Sequence, residues 1–329
     1  MTGHRGYIGA HLVGLLKEGG HEVVGCDLDL FAGCAWEPMP QPDREIIRDV
    51  RSLTVRDLDG FDCVMHLAAI SNDPMGDLDP EITRSINARG SIALARAAKA
   101  AGVPRFLFSS SCSIYGQAEG RPLAEDDALN PVSVYAESKI AAEEGISPLA
   151  DADFSPAYLR NATAYGHSPM LRIDLVVNNL LGCAVAKGDI RIMSDGTPWR
   201  PLIHCEDIAR AFVAFLDAPR AAIHNQRDNV GGDAENLPGA RHRRDRPAPG
   251  PGDQHRLHRR GRQGPARLPR RLHSAHKPAA RFPARIHARR RYGGALVAIP
   301  CTRLCGTRFR RRPIRPAAHT SPSPRPSDR

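Results

Sequence analysis

The sequence predicts an α/β fold with a doubly wound, mostly parallel sheet, and three observations predict it. A glycine-spaced loop at residues 3–9 leads directly into a helix with one apolar face. Short apolar runs at 62–69 and 105–108 have the length of strands buried on both sides. Helical stretches separate these runs, an alternation that lays successive strands parallel in one sheet.

The first element expected of such a sheet is a strand running into the loop, yet only Met1 stands ahead of Thr2. The chain as written is therefore expected to lack a central first strand, through a misassigned start codon or a lost piece. The loop itself reads Thr2-Gly3-His4-Arg5-Gly6-Tyr7-Ile8-Gly9, a G-x-x-G-x-x-G pattern. Ala10 to Glu18 follows as a helix with Leu12, Leu15 and Leu16 on one face, then Gly19-Gly20, then a strand over His21 to Asp27. Glycines let the backbone approach a pyrophosphate, and the helix N-terminus supplies partial positive charge there. Asp27, 18 residues past the last glycine, is placed to accept from the adenosine ribose hydroxyls. A carboxylate there repels a 2′-phosphate, which favours NAD over NADP. The expected cofactor contacts are Gly3, Gly6, Tyr7, Ile8, Gly9 and Asp27, joined by Asp49, Val50, Leu67, Ala68 and Ala69 at two further strand ends. Ordinary strand ends have the same look for each of these last five taken singly.

A helix from about Ile86 to Ala101 precedes the buried strand Arg105 to Phe108, which delivers Ser109-Ser110-Ser111-Cys112-Ser113-Ile114-Tyr115-Gly116. Ser109 is expected beside the cofactor. Farther on, Tyr135-Ala136-Glu137-Ser138-Lys139 lies on a predicted helix, and positions i and i+4 share a helix face. The ammonium then sits beside the phenol. With a cationic nicotinamide near, the phenol pKa is expected to fall from ~10 toward neutrality, making tyrosinate a usable base. A serine at the adjacent strand end can donate to the same substrate oxygen.

With the glycine loop, the serine strand and Tyr135-x-x-x-Lys139 together, residues 2 to about 236 resemble the extended short-chain dehydrogenase/reductase superfamily, in its NAD-dependent epimerase/dehydratase branch. The resemblance implies a Rossmann-like fold, NAD as cofactor and a nucleotide-diphosphate sugar as substrate. It implies Ser111, Tyr135 and Lys139 as the catalytic trio, with Lys139 also holding the nicotinamide ribose. Nucleotide-sugar 4,6-dehydratases usually carry Thr-Asp-Glu where this chain has Ser111-Cys112-Ser113, so that reaction is disfavoured. Cys112 is either an unusual proton donor for another dehydration or a small packed neighbour. Val177-Asn178-Asn179-Leu180 resembles the Asn-Asn-Leu with which 4-epimerases hold the diphosphate. Asp195-Gly196-Thr197-Pro198-Trp199-Arg200-Pro201-Leu202-Ile203-His204 resembles their diphosphate-gripping D-G-x-x-x-R-x-x-x-H segment. Thr163 stands where the family commonly has Asn. The expected substrate contacts are thus Ser111, Thr163, Asn179, Leu180 and Arg200. Family members often pair through a two-helix face, which makes a homodimer the expected assembly.

The overall charge of +10 suggests nucleic acid until its distribution is read. Residues 237–329 hold 24 Arg, one Lys, three Asp and no Glu, a net of +22, which leaves −12 on residues 1–236. This tail has 14 of the 28 prolines and no apolar periodicity of 2 or 3.6. Arg, Pro, Ala, Gly and His are what GC-rich DNA yields in a wrong frame. A one-base shift back-translated from Leu237 to Pro247 permits Tyr-Arg-Val-Arg-Asp-Ile-Ala-Glu-Ile-Val, an amphipathic helix start. The tail is therefore read as frameshifted and disordered, and nucleic acid is not expected as a partner; a genuine basic arm is the alternative. The expected organisation is an NAD-binding domain at 1–166, a substrate-lobe segment at 167–202, a return to the first domain at 203–236, and the tail at 237–329. Apolar runs are too short for a membrane helix, and the eight scattered cysteines show no metal-ligand spacing. A cytoplasmic enzyme without metal is the expectation.

Overall fold

The computed structural model describes residues 1–71, 73–116, 123–187, 189–190 and 199–231, with strand pieces at 236–238, 266–267, 291–292 and 295–296. Helix α1 is Gly9–Glu18, followed by strands β1 (Val24–Asp27), β2 (Arg44–Ile47) and β3 (Cys63–His66). Next come α2 (Asp73–Leu78), α3 (Pro80–Thr83), a π-helical turn at Arg84–Gly90, α4 (Ser91–Ala100), β4 (Arg105–Ser111) and α5 (Val134–Ile146). The chain continues through β5 (Ser155–Asn161), β6 (Thr163–Tyr165), α6 (Val176–Lys187), β7 (Asp189–Ile190), β8 (Trp199–His204), α7 (Cys205–Asp217), α8 (Arg220–Ile223), β9 (Gln226–Val230) and β10 (Asn236–Pro238).

The sheet is parallel and doubly wound, as the alternation predicts. β3, β4, β5 and β9 form one four-stranded ladder, while β1 and β2 pair beside it. Thr2 joins the two pieces through parallel bridges to Cys26 and His66. Residues 1–3 thus lie in the central position that the missing strand was expected to leave. Along β4 the side chains alternate. Leu107 faces a core shared with Leu12 and Leu16 of α1 and with Ile208 and Phe212 of α7. Phe106 and Phe108 face the opposite core, with Leu94 of α4, Ile146 of α5 and Tyr158 of β5. Period-2 alternation on a strand apolar on both sides is what covering by two helical layers requires. α7 follows its strand by return to α1, and β9 rejoins the sheet beside β5.

A smaller sheet of order β10-β8-β6 stands apart, with β6 parallel and β10 antiparallel to β8. Most of the 237–329 tail and all of Asp195–Pro198 lie outside the described residues. Two boundaries differ from the sequence reading. The strand expected from His21 starts at Val24, after the Gly19-Gly20 turn. Asp49-Val50 is past its strand: Asp49 caps a short 3-10 turn at Val50–Ser52 and accepts from Arg51 N–H at 2.8 Å. Among the described residues no helix is long and apolar enough to cross a membrane, and no cluster of three or more His, Cys, Asp or Glu is placed to hold a metal.

Candidate active site

The glycine loop folds against the two strand ends it separates. Gly3 has φ +72°, and a Cβ there would stand 2.7 Å from Ala68 N, so the loop can lie on the Leu67-Ala68 turn only as glycine. Thr2 Oγ1 accepts from Ala68 N–H at 3.3 Å and hydrogen-bonds His66 Nδ1 at 2.6 Å. His66 is buried and also meets Ser91 Oγ at 2.8 Å, and burial drives its pKa down to about 3, so the ring is neutral. Asn87, on the π-helical turn, bonds both backbone groups of Ile70 (2.8 and 2.9 Å) and donates to Ser138 Oγ at 3.2 Å. That one amide ties the Ala69-Ile70 turn to α5.

At the end of β1, Asp27 is oriented by two backbone donors: Arg5 N–H to Oδ2 and Asp29 N–H to Oδ1, each 3.1 Å. The Arg5 guanidinium reaches past it to Glu45 (2.5 Å) and Asp29 (2.6 Å). That pairing, with His4 at 2.5 Å, holds Glu45 down at about 2. Gly6, Ile8 and Gly9 run from this carboxylate into the first turn of α1. A glycine loop in close approach, a helix start and a presented carboxylate are the features a dinucleotide fits.

Tyr7 turns away from this group. Its hydroxyl donates to Gly166 O at 2.7 Å and accepts from Asn178 Nδ2 at 3.1 Å. Asn178 also accepts from Gly166 N–H at 2.9 Å. Sequence reading placed Tyr7 at the cofactor and Asn178 in the Asn-Asn-Leu stretch; in the structure their side chains brace the glycine loop against the 166–178 segment. Asn179 and Leu180 lie one residue farther along α6, with Asn179 exposed. Thr163 is half-buried on β6, and Arg200 falls on β8 opposite Leu237.

Strand β4 and helix α5 bring Ser109, Ser111, Tyr135 and Lys139 together. Ser133 caps α5, accepting from Ala136 N–H at 3.2 Å, and this sets the phase of its faces. Lys139 is buried, donates to Ser109 O at 2.7 Å and stands 5.8 Å from the centre of the Tyr135 ring. Burial lowers its pKa to about 8, against the opposing pull of Glu143. Tyr135 hydrogen-bonds Ser111, which favours its anion, but burial dominates and pushes the phenol up. Among the protein's own groups burial therefore outweighs the hydrogen bond; the expected fall toward neutrality counts on a cationic nicotinamide beside the phenol. Cys112 donates from Sγ to Arg160 O at 3.1 Å, and burial raises its thiol to about 12.

Behind this face lies a buried ionic cluster that sequence reasoning missed. Glu143, one turn beyond Lys139 on α5, accepts from Ser110 Oγ at 2.5 Å and pairs with Arg160 at 2.7 Å. Arg160 donates on to Tyr115 OH at 2.8 Å, and Tyr115 to Asn229 at 2.8 Å. The only hint in sequence was Lys139 and Glu143 on a helix face that otherwise carries Ala136, Ala142 and Ile146.

The model of the NAD dependent epimerase/dehydratase family matches residues 1–231. A UDP-glucose 4-epimerase of Mycolicibacterium smegmatis is 32% identical over 241 residues, 70% of this chain and 76% of that protein. The structure of TunA, described as an NAD-dependent NDP-hexosamine 5,6-dehydratase involved in tunicamycin biosynthesis, is similar with a TM-score of 0.65 and 26% identity, covering 73% of this chain and 77% of that one. MoeE5, solved in complex with UDP-glucose and NAD, gives 0.61 and 32%, covering 70% and 75%. With the glycine loop, Asp27 and the Ser111-Tyr135-Lys139 grouping already in place, these matches show that the chain belongs to the NAD-dependent epimerase/dehydratase family.

Proposed function

We propose that the protein is a 4-epimerase-like enzyme acting on a nucleotide-diphosphate sugar through transient oxidation at the sugar C4. The observation that carries this reading is the hydrogen bond of Tyr135 to Ser111, with Lys139 anchored to Ser109 O one helical turn on. NAD, when bound, would supply the reversible hydride acceptor. Ser111 holds the C4 oxygen, Tyr135 takes its proton, and the buried Lys139 cation stabilises the phenolate that forms at this step. Gly3, Gly6, Ile8, Gly9 and Asp27 hold the dinucleotide, with Ala68 and Ala69 at the adjoining turn. Asn179, Leu180, Thr163 and Arg200 are assigned to the nucleotide-sugar side. The likeness to a UDP-glucose 4-epimerase and to MoeE5, solved with UDP-glucose, supports the choice of UDP-glucose as the first substrate to assay.

Tyr135→Phe is expected to cut interconversion of UDP-glucose and UDP-galactose ~10²–10⁴-fold while leaving NAD content unchanged. Normal turnover in that variant would sink the assignment. A dehydration other than the 4,6 type, with Cys112 as proton donor, is a second reading favoured by the likeness to TunA. Its thiol keeps its proton in the ground state, and its hydrogen bond to Arg160 O also suits a packed residue. Cys112→Ser separates the two: loss of water elimination with NAD still bound selects the dehydratase.

The same proposal takes residues 237–329 as a shifted frame, the enzyme as cytoplasmic and its assembly as a homodimer. Sequencing the gene across codon 237 is expected to reveal one inserted or missing base. An unbroken frame, with NAD bound and no turnover of any nucleotide sugar, would move the reading to a catalytically silent NAD-binding protein.

A further inference from the structure

At the carboxyl end of β1 one guanidinium stands among three carboxylates. Asp27 ends the strand, Asp29 follows two residues later, and Glu45 lies on β2 in register with Gly25. A Cβ at Gly25 would stand 2.5 Å from His4 Cγ, so glycine lets the buried His4 ring lie against β1 and meet Glu45 Oε1 at 2.5 Å. Glu45, braced by His4, takes the Arg5 guanidinium side-on, Nε to Oε1 and Nη2 to Oε2, each at 2.5 Å. Arg5 Nη1 meets Asp29 at 2.6 Å. Asp29 has a left-handed backbone, φ +54°, which Asp and Asn tolerate better than most residues. That turn sends its N–H back to Asp27 Oδ1 at 3.1 Å and its carboxylate on to Arg5. The Arg5 N–H meets Asp27 Oδ2 at 3.1 Å, so the side chain starts beside Asp27 while its charge is held by the other two acids.

We propose that Asp29 and Glu45 keep the cofactor site closed to NADP, by holding the Arg5 guanidinium away from the place beside Asp27 where an adenosine 2′-phosphate would stand. The inference rests on the reading that puts the adenosine ribose at Asp27. A phosphate monoester carries about −1.5 to −2 charges at pH 7, and a planar guanidinium fork is the side chain best matched to it. Arg5 has that fork, but all three of its nitrogens face carboxylate oxygens at 2.5 or 2.6 Å. Its side-on edge, the one a phosphate would take in two parallel bonds, is filled by Glu45. Two exclusions therefore act together. Asp27 repels the phosphate, and the cation bonded to Asp27 is already paired. Glu45, held down at about 2, stays ionised and keeps this hold across the working pH range.

The test is calorimetric binding of NAD and of NADP to the full chain and its variants. Asp29→Asn with Glu45→Gln preserves side-chain size and the left-handed turn while removing both charges that hold Arg5. NADP is expected to bind this double variant about 10-fold or more tightly than the wild-type chain, the worth of one charge-assisted contact. NAD binding, which also reports that the variant is folded, is expected to change less than about threefold. Arg5→Met in the double variant should cancel the NADP gain, and the same change in the wild-type chain should leave NADP affinity as it was. An NADP affinity that fails to rise in a double variant that still binds NAD would overturn the proposal. So would weaker NADP binding on Arg5→Met in the wild-type chain, since the guanidinium would then already be serving the phosphate. Asp27→Ala separates this inference from the reading beneath it, and is expected to weaken NAD about 10-fold. Unchanged NAD affinity there would remove the ribose from Asp27 and the proposal with it; weakened NAD with no NADP gain in the double variant overturns the proposal alone.

Discussion

The two halves of the main sheet are held in the molecule by different means. The half made of β3, β4, β5 and β9 is one uninterrupted parallel ladder, stitched to α5 by the Ser110–Glu143–Arg160 cluster. The half made of β1 and β2 joins it through Thr2 and the glycine loop. The groups proposed to react sit on the first half, and Asp27 with the Arg5–Glu45 pair sits on the second. The proposed catalytic geometry is thus built into a continuous ladder. The proposed cofactor end depends on the glycine loop, which also joins the sheet. If that loop holds NAD as proposed, NAD binding and the integrity of the junction are coupled.

Breaking the continuous half should have the largest effect. Glu143 and Arg160 are each almost wholly buried, at 2% and 3% side-chain exposure. Glu143→Ala leaves the Arg160 guanidinium, and partly that of Arg227, without its carboxylate inside the protein. Removing one partner of a buried pair costs about 3–5 kcal/mol. Urea unfolding followed by circular dichroism is expected to show that loss; a change below about 1 kcal/mol would mean the cluster is not what locks β4 to α5.

Acidification should strike the junction next. His66 is neutral in the fold with its pKa near 3, against an ordinary value near 6.5. The unfolded chain then binds more protons between these limits, so stability from this group is intact above pH 6.5 and is lost as pH falls toward 3. At pH 5 the loss is on the order of 2 kcal/mol. His66→Gln is expected to flatten the dependence between pH 5 and 6.5, and an unchanged slope would assign it to other groups. A smaller effect is expected of Thr2→Val, which removes the hydroxyl shared by His66 and Ala68 N–H. A loss of about 1–2 kcal/mol is expected, together with weaker NAD binding by calorimetry. Lost stability with NAD affinity untouched would separate the junction from the cofactor site.

The sequence made some of this legible and hid the rest for physical reasons. The glycine loop, Asp27 and the Tyr135-Lys139 spacing are local patterns, and their side chains come together as local geometry dictates. The Tyr7–Asn178 brace and the Glu143–Arg160 pair join residues far apart in the chain, where no periodicity marks a partner. Asn87 is hidden by its setting, since a π-helical turn reads as ordinary helix in a pattern of apolar spacing. The upward push of burial on Tyr135 leaves no mark in the sequence, because an i, i+4 spacing shows the nearby charge and not how deeply the ring sits.

The mildest effect tests that last point, because activity and stability should part company in alkali. Lys139 has a pKa near 8 in the fold, below the ordinary 10.5. If its cation stabilises the Tyr135 phenolate, kcat/KM falls as pH rises through 8, by about fourfold at pH 8.5. Stability should move the other way: between pH 8 and 10.5 the unfolded chain binds this proton more tightly, so deprotonation favours the folded state. A protein that loses turnover at pH 8.5 while its melting temperature holds has lost a charge at the site and kept its fold. If the two fall together, the alkaline limb reports unfolding, and Lys139 is confined to anchoring Ser109.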